Sequence, residues 1–177
     1  MTETSPVTLI NPFSDGARKI GSVGLPISDT LCRIVSTFFG AGYVPKAPGT
    51  AGTFAALPLY LLLRKLSLPR YLLVILAIAA AGTAASSRME RLWGKDPQRV
   101  VIDEVAGVLV ALIARPRRAW GIVLGALIFR IFDILKPWPL KRLEKLPGGL
   151  GIMADDVAAG AVSSLVLTGV LRLFGRA

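Results

Sequence analysis

Tyr71–Ser87 reads YLLVILAIAAAGTAASS, 17 residues without a charged side chain. The run is rich in Ala and Leu, does not alternate, and holds no turn dipeptide, so it reads as helix rather than strand. A helix of that length rises about 25 Å, the low end of what crosses the hydrocarbon core of a bilayer. Comparable runs lie on both sides of it: Ala47–Leu63, Val105–Ala114, Ala119–Leu135 (interrupted by Arg130 and Asp133) and Val157–Leu171. Ile27–Phe39 is a further apolar segment, with Asp29 and Arg33 one helical turn apart. Basic loops at Arg64–Lys65, Arg88–Arg99, Arg115–Arg118 and Lys136–Lys145 separate the runs. A soluble bundle with a very apolar core would share the runs. The basic punctuation favours the membrane, so the expectation is an all-α, membrane-associated helical bundle of about five to six helices. Gly121 and Gly125 form a GxxxG, and Ala77, Ala81 and Ala85 line up at helical spacing, so both sets read as faces where backbones approach.

Composition agrees. Of 177 residues, 53% are hydrophobic and 18% charged, against about 25% charged in a typical soluble domain. Mean hydropathy is +0.61. The formal charge is +10, and no nucleic-acid partner is expected. The chain has no His, which excludes imidazole acid–base chemistry, phosphohistidine and His-ligated metals. Its single cysteine, Cys32, excludes an internal disulfide and a multi-Cys zinc site. Residues 1–26 are rich in Ser, Thr, Pro and Gly and read as an irregular arm before a helical domain at 27–177. The arm lacks the basic start and apolar core of a cleavable signal peptide.

The placement of acids carries the functional information. Of 11 Asp and Glu residues, Asp103, Glu104, Asp133, Asp155 and Asp156 lie in or at the ends of apolar runs. A charge at the bilayer centre costs about 2.5–3.5 kcal/mol on insertion scales, so five facing lipid would cost on the order of 12–17 kcal/mol. They must face the bundle interior, a polar cavity or the interface. Alternating the helices across a membrane brings Asp103–Glu104, Asp133 and Asp155–Asp156 to one side, together with the loop before residue 54, provided that each helix crosses. Both adjacent pairs are expected to open helices, where capping would suffice to explain them. Acids from three segments could also converge on a hard cation such as Mg²⁺, which takes oxygen ligands and keeps room for a phosphate.

Arg130, Asp133 and Lys136 follow at i, i+3 and i+6, near one helix face. They read as an ion pair or as cations for an anionic substrate, with Lys46 as a further cation. Two Gly/Pro-rich segments precede helices, Pro45–Thr53 and Gly148–Gly151, and glycines there let backbone amides approach an anion. Neither matches G-x-x-x-x-G-K-[ST], so a nucleotide P-loop is not expected; ordinary turn chemistry is the plainer reading.

At these motifs the chain resembles the class A phosphatidylglycerophosphatase family. The resemblance is carried by Val44–Thr53 with the following FAALP, by DEVAG from Asp103, by FRIFDILKPWP from Phe129, and by GGLGIMADDVAAG from Gly148. It spans roughly residues 38–172. It implies an all-helical, Mg²⁺-dependent enzyme of the bacterial inner membrane that removes the terminal phosphate of phosphatidylglycerophosphate, leaving phosphatidylglycerol. The site would face the cytoplasm, where the family's substrate is made. Asp103, Glu104, Asp133, Asp155 and Asp156 are the expected catalytic set, with Asp103, Glu104, Asp155 and Asp156 on the metal. Lys46, Pro48, Gly49, Thr50, Arg130 and Lys136 are the expected substrate contacts. Either a metal-activated water or an Asp carboxylate attacks phosphorus; the residues leave both open. A cation transporter or channel is the alternative from another class, and a lipid-binding scaffold with structural ion pairs a third. Neither needs Arg130 and Lys136 as anion partners.

Overall fold

The computed structural model describes residues 27–174, so the expected arm at 1–26 lies outside them. The described residues form six α-helices and three short 3-10 helices, with no strand among them. In chain order they are α1 (Ile27–Ser36), a 3-10 turn at Ala41–Tyr43, α2 (Pro48–Leu63), α3 (Leu68–Trp93) and α4 (Ile102–Ala111), which tightens into Leu112–Ala114. Then come α5 (Ala119–Leu135), a 3-10 stretch at Leu140–Lys145, and α6 (Gly149–Leu173). Pro48 and Pro69 stand in the first turns of α2 and α3, where a missing N–H costs nothing.

The shortest helices split into two kinds. α1 is amphipathic and packs on α3. Asp29 does not pair with Arg33 along α1; it accepts two hydrogen bonds from Arg88 of α3, at 2.6 and 3.1 Å. The Arg88 guanidinium holds the Asp29 carboxyl below the usual carboxylate range. α4 is the opposite case: all its residues except Asp103 and Glu104 are buried. α2, α3, α5 and α6 surround it, and the Tyr71 hydroxyl of α3 donates to the Leu109 carbonyl at 2.7 Å. The core therefore sits around α4, and that helix is too short, at about 15 Å, to cross a bilayer alone. α4 is enclosed by its neighbours on every side.

α3, with 26 residues, and α6, with 25, are long and apolar enough to cross a membrane; α2 is a shorter apolar helix. Large apolar side chains point outward in stripes. Val123, Leu127, Ile131 and Ile134 run down α5, and Leu72, Leu73 and Leu76 stand out from α3. Contiguous exposed apolar surface of this kind marks contact with lipid or a partner. The Ala77–Ala85 stripe is not the packed face of α3, because Ala77 and Ala81 are exposed. Tyr71, Ile75, Gly82, Ala85, Ser86 and Met89 are buried instead. Gly121 and Gly125 do mediate close packing: a Cβ at either would come within 2.7 Å of Pro116 or Leu112.

Candidate active site

α4 and α6 cross where two glycines meet. A Cβ on Gly160 would collide with the Gly107 carbonyl, and one on Gly107 would lie 2.8 Å from the Asp156 carbonyl. Gly107 follows Asp103 by four residues, and Gly160 follows Asp156 by four. One turn from the crossing, the backbones are therefore still close, and the acids face one another. Carboxylate oxygens of Asp103, Glu104 and Asp156 lie within 4.8 Å of each other, an arrangement that could hold a metal ion.

α5 brings a cation to this group. Arg130 Nη1 lies 3.6 Å from Glu104 Oε1 and donates to Asp133 Oδ2 at 2.5 Å. The i, i+3 ion pair, one of the two readings of this helix, therefore forms. α2 closes the site with its first turn. Gly49 is buried so tightly against Glu104 that any Cβ would strike the carboxylate, and it would come 3.1 Å from Arg130 Nη1. Pro48, Gly49 and Thr50 thus belong to the N-terminal turn of a helix rather than to a loop. The backbone N–H groups of Gly49 and Thr50 are among those without a partner inside the helix.

Lys136 leaves α5 in a left-handed conformation, φ 40°. Its ammonium pairs with Asp155 and, at 2.7 Å, with Glu144. Burial works against its charge, but these two carboxylates more than offset that and hold Lys136 above the ordinary lysine range. Beside them a cavity of about 380 Å³ opens, with Asp103, Asp155 and Lys136 on its wall and Lys95 and Lys145 nearby.

Three expectations change. Asp155 and Asp156 do not open a helix: α6 begins at Gly149, and they sit in its second turn. Gly149 and Gly151 lie inside α6 because a Cβ at Gly149 would crowd Ser87 N (2.6 Å) and one at Gly151 the Glu144 carbonyl (3.0 Å). The Gly149 amide is already donated to Ser87 Oγ at 2.9 Å, so it is not free for an anion. Lys46 is exposed and does not join the acids; it lines a separate cleft with Arg99 and Trp93 beside the start of α2. Sequence reasoning also missed Glu144 and the two crossing glycines. The small residue four positions after each acid was the available signal for the glycines; Glu144 gave none.

Charge and hydrogen bonding show what the cluster accepts. Asp103, Glu104 and Asp156 cluster, and among the described residues Arg130 is the one cation within salt-bridge distance of this cluster, shared with Asp133. Asp103 Oδ1, Glu104 Oε2, Asp155 Oδ1 and Asp156 Oδ2 are buried without any hydrogen-bond partner. Orphaned buried carboxylate oxygens are costly. A cation held by oxygen ligands relieves both the orphaning and the mutual repulsion, so the residues present fit a metal.

Comparison with known proteins agrees with this picture. The family model described as phosphatidylglycerophosphatase A matches residues 34–171. A Bacteroides thetaiotaomicron protein named as a candidate phosphatidylinositol-3-phosphatase is 43% identical over 148 residues, covering 78% of this chain and 92% of that one. Phosphatidylglycerophosphatase A of Escherichia coli is 35% identical over 138 residues, 76% of this chain and 80% of that one. Its Haemophilus influenzae namesake is 32% identical over 174 residues, 94% and 95%. No solved structure matches the chain. The matched span runs from α1 to the end of α6 and takes in every acid of the cluster, so this chain is an enzyme of the phosphatidylglycerophosphatase A family of lipid phosphatases.

Proposed function

We propose that the chain hydrolyses the terminal phosphate of phosphatidylglycerophosphate to phosphatidylglycerol, with Mg²⁺ held by Asp103, Glu104 and Asp156. It would do so as a multi-pass protein of the bacterial inner membrane, with the site at the cytoplasmic face. The observation that carries this reading is the buried, unpartnered carboxylate cluster set beside Arg130 and the N-terminal turn of α2.

A phosphomonoester carries about −1.5 to −2 charge at neutral pH and three acceptor oxygens. Arg130 has its Nε buried and unpartnered, so it can turn a donor to the phosphate while Nη1 stays on Asp133. The free N–H groups at the start of α2 supply a second set of donors and a favourable dipole. Pro48 presets that turn, and Thr50 borders it. Lys136 orients Asp155 and places positive charge at the cavity mouth. Lys46, with Arg99, draws the anionic headgroup toward the start of α2. Mg²⁺, when bound, neutralises charge on the phosphate and activates the attacking group.

The Bacteroides relative gives specific ground for a second substrate, since its name carries a phosphoinositide headgroup with the same phosphomonoester chemistry. The test is phosphate release by purified protein in detergent from phosphatidylglycerophosphate and from phosphatidylinositol 3-phosphate. The first should be hydrolysed faster. EDTA should abolish release and Mg²⁺ restore it. Ca²⁺ should substitute poorly, because it prefers longer bonds and more ligands. Full activity in EDTA would refute the metal, and preference for the inositol lipid would replace the substrate.

A further inference from the structure

The end of the bundle away from the carboxylates is built in the opposite sense. The α2–α3 turn, the α4–α5 turn and the last turn of α6 meet there. Among the described residues these segments hold arginines and lysines but no Asp or Glu. A cavity of about 440 Å³ opens between them, walled by Arg64, Arg115, Arg117 and Arg172, with Ile113 and Leu171 as its apolar side.

Two of these arginines are held in place. Arg115 adopts a left-handed backbone, φ 52°, that turns the chain back after α4. Its Nη2 donates to the Leu66 carbonyl at 3.0 Å and its guanidinium lies 5.3 Å from the centre of the Tyr71 ring. Arg64 stands 5.9 Å over Tyr60, and the two tyrosine rings pack edge to face. Guanidinium groups seated on aromatic faces lose little freedom when they bind. Arg115 Nε is nevertheless buried with no acceptor. Among the described residues, these clustered cations, with an orphaned donor and no carboxylate on the cavity wall, lack an anion.

We propose that this cavity is a second anion site, which takes a phosphate ester and is filled by the headgroup of an anionic phospholipid. It is separate from the catalytic cluster: Arg172 follows Asp156 by 16 residues along α6, about 24 Å of helix. One headgroup cannot touch both. A lipid suits the cavity better than free phosphate because its wall is partly apolar. Exposed Leu62, Leu173 and Phe174 lie on the same end of the bundle and offer contacts to acyl chains. The choice of a lipid rests on the membrane-spanning reading above; the anion site itself does not.

The test uses full-length protein in detergent and native mass spectrometry, with equal amounts of phosphatidylserine and phosphatidylcholine. Phosphatidylserine is anionic and lies outside the proposed reaction. Wild type should retain it in preference to phosphatidylcholine. Arg117→Gln with Arg172→Gln removes two exposed side chains, so folding is not at stake, and should weaken retention by about tenfold or more. Asp103→Asn should leave retention unchanged. A parallel thermal-shift titration with inorganic phosphate separates the sources. A saturable shift that the double variant loses, with lipid retention unaffected, would uphold the anion site and make free phosphate its occupant. Equal retention of both lipids without a phosphate shift that the double variant loses, or retention and thermal shift alike unmoved by the double variant, overturns the site. Absence of phosphate release from wild type would sink the proposed reaction without altering lipid retention, so the two failures remain distinct.

Discussion

Asp103 and Asp156 differ from Asp133 and Asp155 in what faces them. Asp133 has Arg130, and Asp155 has Lys136. Asp103 and Asp156 have other carboxylates and, among the described residues, no cation within salt-bridge distance. Asp→Asn keeps size and removes charge, so the four substitutions should divide. At Asp103 and Asp156 the loss relieves repulsion, and the melting temperature should hold or rise. Phosphate release should fall by about 100-fold or more, as a ligand is lost. At Asp133 and Asp155 a partly buried cation is left behind, at a cost of up to about 3 kcal/mol, and the melting temperature should drop. Thermal denaturation beside phosphate release checks the division; equal destabilisation by all four would mean that the cluster only balances charge. The sequence singled out these acids, because charge inside apolar runs is conspicuous. It did not show which acid meets which cation. Neighbouring side chains on a helix point about 100° apart, so the pairing depends on rotations that only packing sets.

The α4–α6 crossing turns two separate DE and DD pairs into one cluster, and Gly107 and Gly160 set its closeness. Gly160→Ala must separate the helices or strain the Gly107 carbonyl, since backbone cannot move aside as a flexible side chain can. We expect about 1–3 kcal/mol of destabilisation and a large loss of phosphate release, because the carboxylates move apart with the helices. Gly169 on the same helix is an internal control. A Cβ there meets nothing within 4 Å, so Gly169→Ala should stabilise by about 0.5–1 kcal/mol and leave activity unchanged. If Gly160→Ala behaves like Gly169→Ala, the crossing does not position the site. Apolar runs predicted these helices well, but not where α6 begins. GGLG reads as a turn until it is known that α3 presses on Gly149, and that contact is tertiary. The run Val105–Ala114 likewise gave no sign that other helices would enclose α4. An apolar run signals burial, and burial among helices looks the same in sequence as burial in lipid.

Counting Lys and Arg alone in the loops leaves the two ends of the bundle nearly balanced. Counting acids separates them. Every described Asp and Glu belongs to the end that holds the carboxylate cluster or to the α1–α3 contact beside it, and the arginine-walled cavity has none. Like-charged arginines without carboxylates are tolerable at a surface rich in lipid phosphate and water, and the snorkelling of long cations there is favourable. If α3 and α6 cross a membrane, the two ends lie at opposite faces, since about 38 Å of helix exceeds a hydrocarbon core of about 30 Å. Cysteine labelling tests this. With Cys32→Ser as background, single cysteines at Lys95 and Pro147, both exposed on the wall of the carboxylate cavity, should react from the same side of sealed, oriented vesicles. One at Arg118, exposed in the α4–α5 turn, should react only from the other side. Labelling of Lys95 and Pro147 from opposite sides would break the shared end of the site. Labelling of all three from one side would mean that the bundle lies on the membrane instead of crossing it, and the outward leucines of α3 and α5 would then need a protein partner to cover them.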